Sequence, residues 1–316
     1  MMTELDRVIA MKRARGASKK NIRKIGTIEV GIVETTPIVW KDRLLRFGWK
    51  RAYHTTENGG LRIDGCYNFV DMETNEEIAA FAPDHSFGAA YTENEKMYVI
   101  GTEGGFGSHT LRLFVSDDLQ TWEAHTIFSN PEWSIYNVSL CRGENAYILA
   151  IEISHPVSIA GEFPYTIVFA KSEDLYHWEL METDQYIYRK DRYAACPVLR
   201  YTGEYYYMIY LEMLPGYNCV PYIVRSNNLR DWDIAPMNPV MFYSDEDRQI
   251  PHPEYFTEEE LALITSSLNT NNSDVDLCDW NGKTVILYSW GNQLGNEFLA
   301  VAEYDGSMQE FFESYF

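Results

Sequence analysis

S-D-D-L-Q-T-W at 116–122, S-E-D-L-Y-H-W at 172–178 and S-N-N-L-R-D-W at 226–232 are one phrase written three times. Ser116 to Ser172 is 56 residues and Ser172 to Ser226 is 54, a fixed period of the kind that marks an array of equivalent units. Each copy follows an alternating, strand-like run, at 111–115, 165–170 and 222–225. The Ser and Asp or Asn side chains bond their own backbone and turn the chain, Leu packs beneath the turn, and Trp opens the next strand. The phrase therefore reads as the hairpin between the third and fourth strands of a four-stranded sheet. Three unrelated hairpins would not be expected to share matching strands upstream. A period of about 55 residues with four short strands per unit is the signature of a β-propeller.

Outward from these hairpins, strand patterning fills the chain. A first blade falls at 34–81, with strands at 37–40, 44–49 and 65–70, and a second at 84–128. A third falls at 136–181, a fourth at 193–235, and a last begins near 272 with strands at 275–280, 284–290, 298–304 and 309–312. Ahead of the last blade, T-E-E-E at 257–260 followed by Leu261, Leu263 and Ile264 is a capping box opening an amphipathic helix, an insertion on the propeller. G-T-E-G-G-F-G at 101–107 lacks the Lys-Ser and helix of a phosphate loop, so it reads as an inter-strand loop. The expected fold is all-β: a five-bladed β-propeller over 26–316 with a short helical insertion. Residues 1–25 read as a basic, partly helical N-terminal arm that the ring does not need.

Charge bounds the partners. The formal net charge is −21, yet eight of the 26 basic residues lie between Arg7 and Lys24, leaving 18 basic against 45 acidic residues in the rest. So acidic a body repels nucleic acid and anionic membrane, and the arm reads as a solvated helix or a homo-oligomer contact. Five cysteines without a C-x-x-C pair indicate neither a disulfide framework nor a zinc site. With no apolar leader or span in view, a reduced cytoplasmic setting is expected. Aromatic residues reach 15%, which suits propeller packing and a sugar-binding cleft alike.

In a propeller the leading ends of the innermost strands converge on one axial cup. Those positions hold Glu34 and Thr36, Asp84 and His85, Tyr136 and Asn137, Tyr193 and Cys196, and Asp274 and Asp276, blade by blade. Clustered carboxylates raise some pKa values and keep others ionised, as acid/base chemistry on a glycosidic bond requires. Glu34, Asp84, Asp274 and Asp276 are the candidate catalytic acids, and period two puts Asp274 and Asp276 on one strand face. Arg46, Trp49, Arg51, His85, Asn137, Tyr193, Trp290 and Gln293 are the candidate substrate-binding residues. Each has a structural alternative: Asp84 as a turn residue, His85 as a packed histidine, Trp290 as core, Arg46 and Arg51 as surface charge. Glu152 and Glu212 each interrupt an apolar strand, where an ion pair competes with catalysis.

The phrase S-x-D-L-x-x-W, with Asn for Asp in the third copy, together with the blade count and aromatic second strands, resembles the five-bladed propeller glycoside hydrolases. That group holds arabinanases, xylosidases, invertases, levansucrases and anhydrogalactosidases. The resemblance covers nearly everything after residue 25 and implies action on a carbohydrate. The sequence departs from the group's patterns at three places. Thr36 stands where an early Asp-Pro would put the base, Ala195-Cys196-Pro197 replaces Glu-Cys-Pro, and Tyr136-Asn137-Val138 replaces Arg-Asp-Pro. What the resemblance implies is a glycosidase releasing a terminal sugar, with its acids relocated to neighbouring carboxylates. The alternatives are a glycoside phosphorylase, which needs a basic cluster such as Arg46, Arg51 and His54, and a non-catalytic carbohydrate-binding propeller. No cofactor is required, and the acidic rim would admit an axial Ca²⁺ although no ligand loop announces one.

Overall fold

The repeated phrase folds as its hydrogen-bonding groups dictate. In the first copy Ser116 Oγ accepts from the Leu119 amide (2.8 Å), while Asp118 Oδ1 accepts from the amides of Gln120 (2.8 Å) and Thr121 (2.7 Å). Ser172 with Asp174 and Ser226 with Asn228 repeat the pattern, so Asn serves because only a side-chain oxygen is needed. Leu119, Leu175 and Leu229 all take positive φ, between 61° and 71°. The Trp that follows packs on the preceding blade: Trp122 stacks on Phe81 at 3.8 Å and Trp232 on Phe169 at 5.8 Å. The hairpin is thus also a clamp between blades.

The computed structural model describes residues 22–55, 61–163, 165–216, 218–292 and 295–316. It comprises five antiparallel sheets. Blade 1 is β2 (Thr35–Trp40), β3 (Arg43–Thr55), β4 (Leu61–Asp71) and β5 (Glu77–Phe81), and blade 2 is β6 (His85–Glu93), β7 (Lys96–Glu103), β8 (Thr110–Ser116) and β9 (Glu123–Ser129). Blade 3 holds β10 (Ser134–Arg142), β11 (Tyr147–His155), β12 (Thr166–Ser172) and β13 (Glu179–Leu180), with β14 (Ile187–Tyr188) also paired to β12. Blade 4 is β15 (Ala195–Tyr201), β16 (Tyr206–Leu214), β17 (Asn218–Ser226) and β18 (Asp233–Ile234). The innermost strands β2, β6, β10, β15 and β19 contact one another around the axis.

Blade 5 departs from expectation. Its inner strands are β19 (Asn271–Trp280), β20 (Lys283–Gly291) and β21 (Glu297–Tyr304), with the Asn281-Gly282 turn between the first two as the sequence predicts. Its outermost strand is β1 (Arg23–Val30), from the other end of the chain. The stretch 309–312, expected to be that strand, lies instead in a helix, Met308–Glu313, capped by Ser307 and Glu310. Phe311, Phe312 and Tyr315 of this segment are fully buried in the core shared by blades 4 and 5. The inserted helix Glu258–Ser266 forms as predicted, with Thr257 accepting from the Glu260 amide. Residues 1–21 of the arm lie outside the described residues, whereas residues 23–25 belong to the propeller sheet. None of the described helices is long and apolar enough to cross a membrane.

Candidate active site

Four innermost strands share one irregularity. Pairing with the next strand slips by one residue between Ser86 and Ala89 in β6, Ile135 and Val138 in β10, Ala195 and Val198 in β15, and Ser273 and Asp276 in β19. Such a bulge sets two residues against one and re-aims a side chain. Phe87, Cys196 and Asp274 occupy it with φ of 49°, 50° and 48°, and Tyr136 and Asn137 fill it in blade 3. In blade 1 the innermost strand β2 pairs with β3 without a slip, and Glu34 precedes it. Asp274 and Asp276 therefore do not share a face. Glu34, Asn137, Cys196 and Asp274 line an axial hollow of about 30 Å³, room for one water, with Asp276 and Thr36 deeper in it.

The cup is short of cations. Arg51, under a tenth exposed, pairs with Glu34 and with Glu297 (3.1 Å) and lies 4.7 Å over the Trp49 ring. Burial and then the charge of Glu34 push Asp274 up to about 6, against hydrogen bonds from Ser273 and the Cys196 thiol. Glu152, only 2% exposed on β11, is pushed up to about 8, by burial first and then by Asp274 and Glu34. Hydrogen bonds to its Oε2 from the Cys196 amide (2.7 Å) and Asn137 Nδ2 (3.0 Å) oppose that rise. The Cys196 thiol is itself held well above its usual range by burial and by these acids. Among the described residues no set of three or more His, Cys, Asp or Glu is arranged to hold a metal ion.

Aromatic rings run around the rim from Trp49, beneath Arg51. Trp49 meets Phe87 (5.0 Å), Phe87 meets Tyr136 (5.7 Å), Tyr136 meets Tyr165 (4.6 Å) and Tyr165 meets Tyr193 (5.6 Å). Phe106, 59% exposed, caps Trp49 and Phe87 from the loop between β7 and β8. The three tyrosines are half-buried, so part of each remains open to a ligand, although the Tyr136 hydroxyl already accepts from Ser154 Oγ (3.3 Å).

The structure brings Glu34, Asp274, Asn137, Tyr193 and Arg51 together, with Asp276 lining the same hollow and Trp49 beneath Arg51, and places the other described candidates elsewhere. Asp276 is buried in an ion pair with Arg200 (2.5 Å) while its Oδ1 also accepts from the Leu277 amide, so it ties blade 4 to blade 5. Asp84 is an exposed turn residue with φ of 61°, outside the residues that line the axial hollow. His85 bonds the Pro83 carbonyl through Nδ1 and packs against Tyr67 and Phe114. Arg46 is buried on the other face of β3, paired with Glu29, and lines a separate lateral groove of about 580 Å³. That groove exceeds the axial hollow in size but holds none of the acids with raised proton affinity. Trp49 is 1% exposed and Trp290 wholly buried, its Nε1 donating to Thr27 Oγ1 (2.8 Å) and its ring stacked on Phe298. Glu212 pairs with Arg192 (3.1 Å). Gln293 and the His54 side chain lie outside the described residues. Phe87, Phe106, Tyr165 and Glu297 entered the cup without being anticipated.

No family model matches the chain, and no curated protein matches it in sequence. Solved structures do. One described as a glycoside hydrolase aligns with TM-score 0.63 at 12% identity over 98% of this chain and 97% of its own. A thermostable family-43 glycoside hydrolase aligns with TM-score 0.56 at 12% identity, covering 88% and 90%. A β-1,2-mannobiose phosphorylase from Listeria innocua aligns with TM-score 0.55 at 10% identity, covering 93% and 96%. The architecture of this chain is that of the five-bladed β-propeller glycoside hydrolases.

Proposed function

We propose that the chain is a glycoside hydrolase that releases a terminal sugar in the axial cup. The observation that carries this reading is the pairing of Asp274 with Glu34, two acids in one cup whose surroundings differ. Asp274, half-buried and facing a negative neighbour, holds its proton to about pH 6. Glu34 is matched by the Arg51 guanidinium. Acids set apart in this way divide the work, and Asp274 is assigned as the proton donor to the leaving oxygen. Glu34 activates water or attacks the anomeric carbon. The tyrosine arc offers stacking faces for the ring, and Asn137 is assigned to a sugar hydroxyl. A phosphorylase is less well supported, because Arg46 and Arg51 lie on opposite faces of β3 and each already meets a carboxylate.

A panel of aryl glycosides, assayed with and without orthophosphate, tests the reading. Phosphate-independent release of the sugar is expected, with general acid/base loss of about 10²–10⁴-fold in Asp274→Asn and Glu34→Gln. Turnover that requires orthophosphate would make the protein a phosphorylase. Sugar binding without any turnover would make it a binding propeller.

A further inference from the structure

Glu152 sits in the apolar run I-L-A-I-E-I, opposite Ile167 of β12, 2% exposed, and no described cation pairs with it. A carboxyl so placed is unfavourable unless its hydrogen bonds do something for the fold around it. Both bonds end on one oxygen, and both come from bulge residues: Asn137 in blade 3 and the Cys196 amide in blade 4. One buried oxygen thus fixes two innermost strands at the depth of the cup. The link continues, since Asn137 Nδ2 also reaches Cys196 Sγ (3.5 Å), and Cys196 lines the same hollow as Asp274, whose proton affinity its thiol lowers.

We propose that Glu152 is a positioning residue: by fixing the Cys196 bulge it aims the Cys196 thiol at Asp274, and through that thiol it sets how tightly Asp274 holds its proton. The proposal rests on the assignment of Asp274 as the proton donor. A thiol that donates to a carboxylate favours the ionised form. Losing it would leave Asp274 facing Glu34 and Glu297 with less compensation. The other groups that face this cluster are Arg51 from β3, Tyr136 from β10, Tyr165 and Tyr193 from the segments leading into β12 and β15, and Cys219 from β17. They stay in place in every variant below.

The test follows Asp274 through pH in two ways: the basic limb of kcat/KM, and the carboxyl ¹³C shift of Asp274, assigned by its loss in Asp274→Asn. Glu152→Leu removes the acceptor and Cys196→Ala removes the donor. Each is expected to move the titration of Asp274 up by roughly one pH unit, and the two together no further than either alone. Glu152→Gln and Cys196→Ser keep the hydrogen bonds and are expected to leave that titration where it is. An unmoved titration in Cys196→Ala overturns the proposal even if Glu152→Leu fails to fold, as does a shift in Glu152→Leu that adds to that of Cys196→Ala. If no glycoside is turned over, the assignment of activity fails while the ¹³C titration still decides the linkage.

Discussion

Asp247 and Glu152 are both buried, Asp274 is half-buried, and the first is provisioned in the opposite way to the other two. Asp247, wholly buried, receives Lys24 Nζ (2.6 Å), Tyr288 OH (2.8 Å), Asn269 Nδ2 (2.8 Å), Asn272 Nδ2 (3.2 Å) and the Ser244 amide (2.9 Å). Glu152 has two donors on one oxygen and no cation, and Asp274 has Ser273 and a thiol. Removing a carboxylate from water is costly in both places, and only the first is compensated with charge and a full set of donors. Where the chain supplies donors, the acid builds the fold, here by tying β1 to the segment before blade 5 and to β19 and β20. Where it withholds them, the acid keeps a proton it can give away.

The largest effect should come from the poorly provisioned side. Asp274→Asn is expected to cost about 10²–10⁴-fold in rate with melting temperature close to the parent, because Asn tolerates the positive φ of this bulge. A near-parental rate would remove Asp274 from the chemistry.

Stripping the well-provisioned side should turn it into the other kind. Lys24→Met leaves Asp247 buried without its cation, and urea unfolding at pH 7 should show a loss of about 3–5 kcal/mol. Adding Asp247→Asn should recover part of that loss. If Lys24→Met is neutral, the closure does not depend on this pair.

Glu152 sharpens the contrast through pH. Its carboxyl binds a proton more tightly folded, at about 8, than unfolded, at about 4.5. The stability linked to that proton is complete below about 4.5 and is lost as pH rises through about 8. Glu152→Gln should therefore melt over pH 5–8.5 with a flatter profile than the parent, gaining on it as pH rises. Parallel profiles would contradict a proton on Glu152.

The smallest effect concerns Trp290, whose indole donates to Thr27 on β1. Trp290→Phe should cost about 1–3 kcal/mol in stability through the lost donor to Thr27 Oγ1 and lost volume. KM should not change, since the ring has no exposed surface. A raised KM at unchanged stability would return Trp290 to the binding site.

The hairpin phrase was legible because its chemistry is local: Ser116 and Asp118 satisfy backbone amides within three residues, and nothing distant decides the turn. The fourth strand of blade 5 was not, because Arg23 and Lys24 closed the basic arm as read, and nothing local pairs residues 23–30 with a strand 280 residues on. S-M-Q-E at 307–310 has the spacing of a capping box, but the stretch was read only for the fourth strand that the repeat calls for. In the cup, Glu34 and Asp274 were legible as acids at leading ends. The separate fate of Asp276 was not, since a bulge changes strand phase without marking the sequence. Glu152 was noticed as a misfit in an apolar run, and only tertiary packing shows it beside Cys196 rather than beside a cation.

The pairing of β1 with β21 joins Arg23 to Glu303, 280 residues apart. On a ribosome, β1 emerges before the rest of its sheet and must wait, unpaired and with half-buried Ile25, Ile28 and Val30 exposed, until β21 has been made. Moving residues 22–31 behind residue 316 by circular permutation would make that sheet nearly local. Loop-closure entropy would fall and contact order with it, so the permuted chain should refold faster than the natural one. The ring would then close from one end.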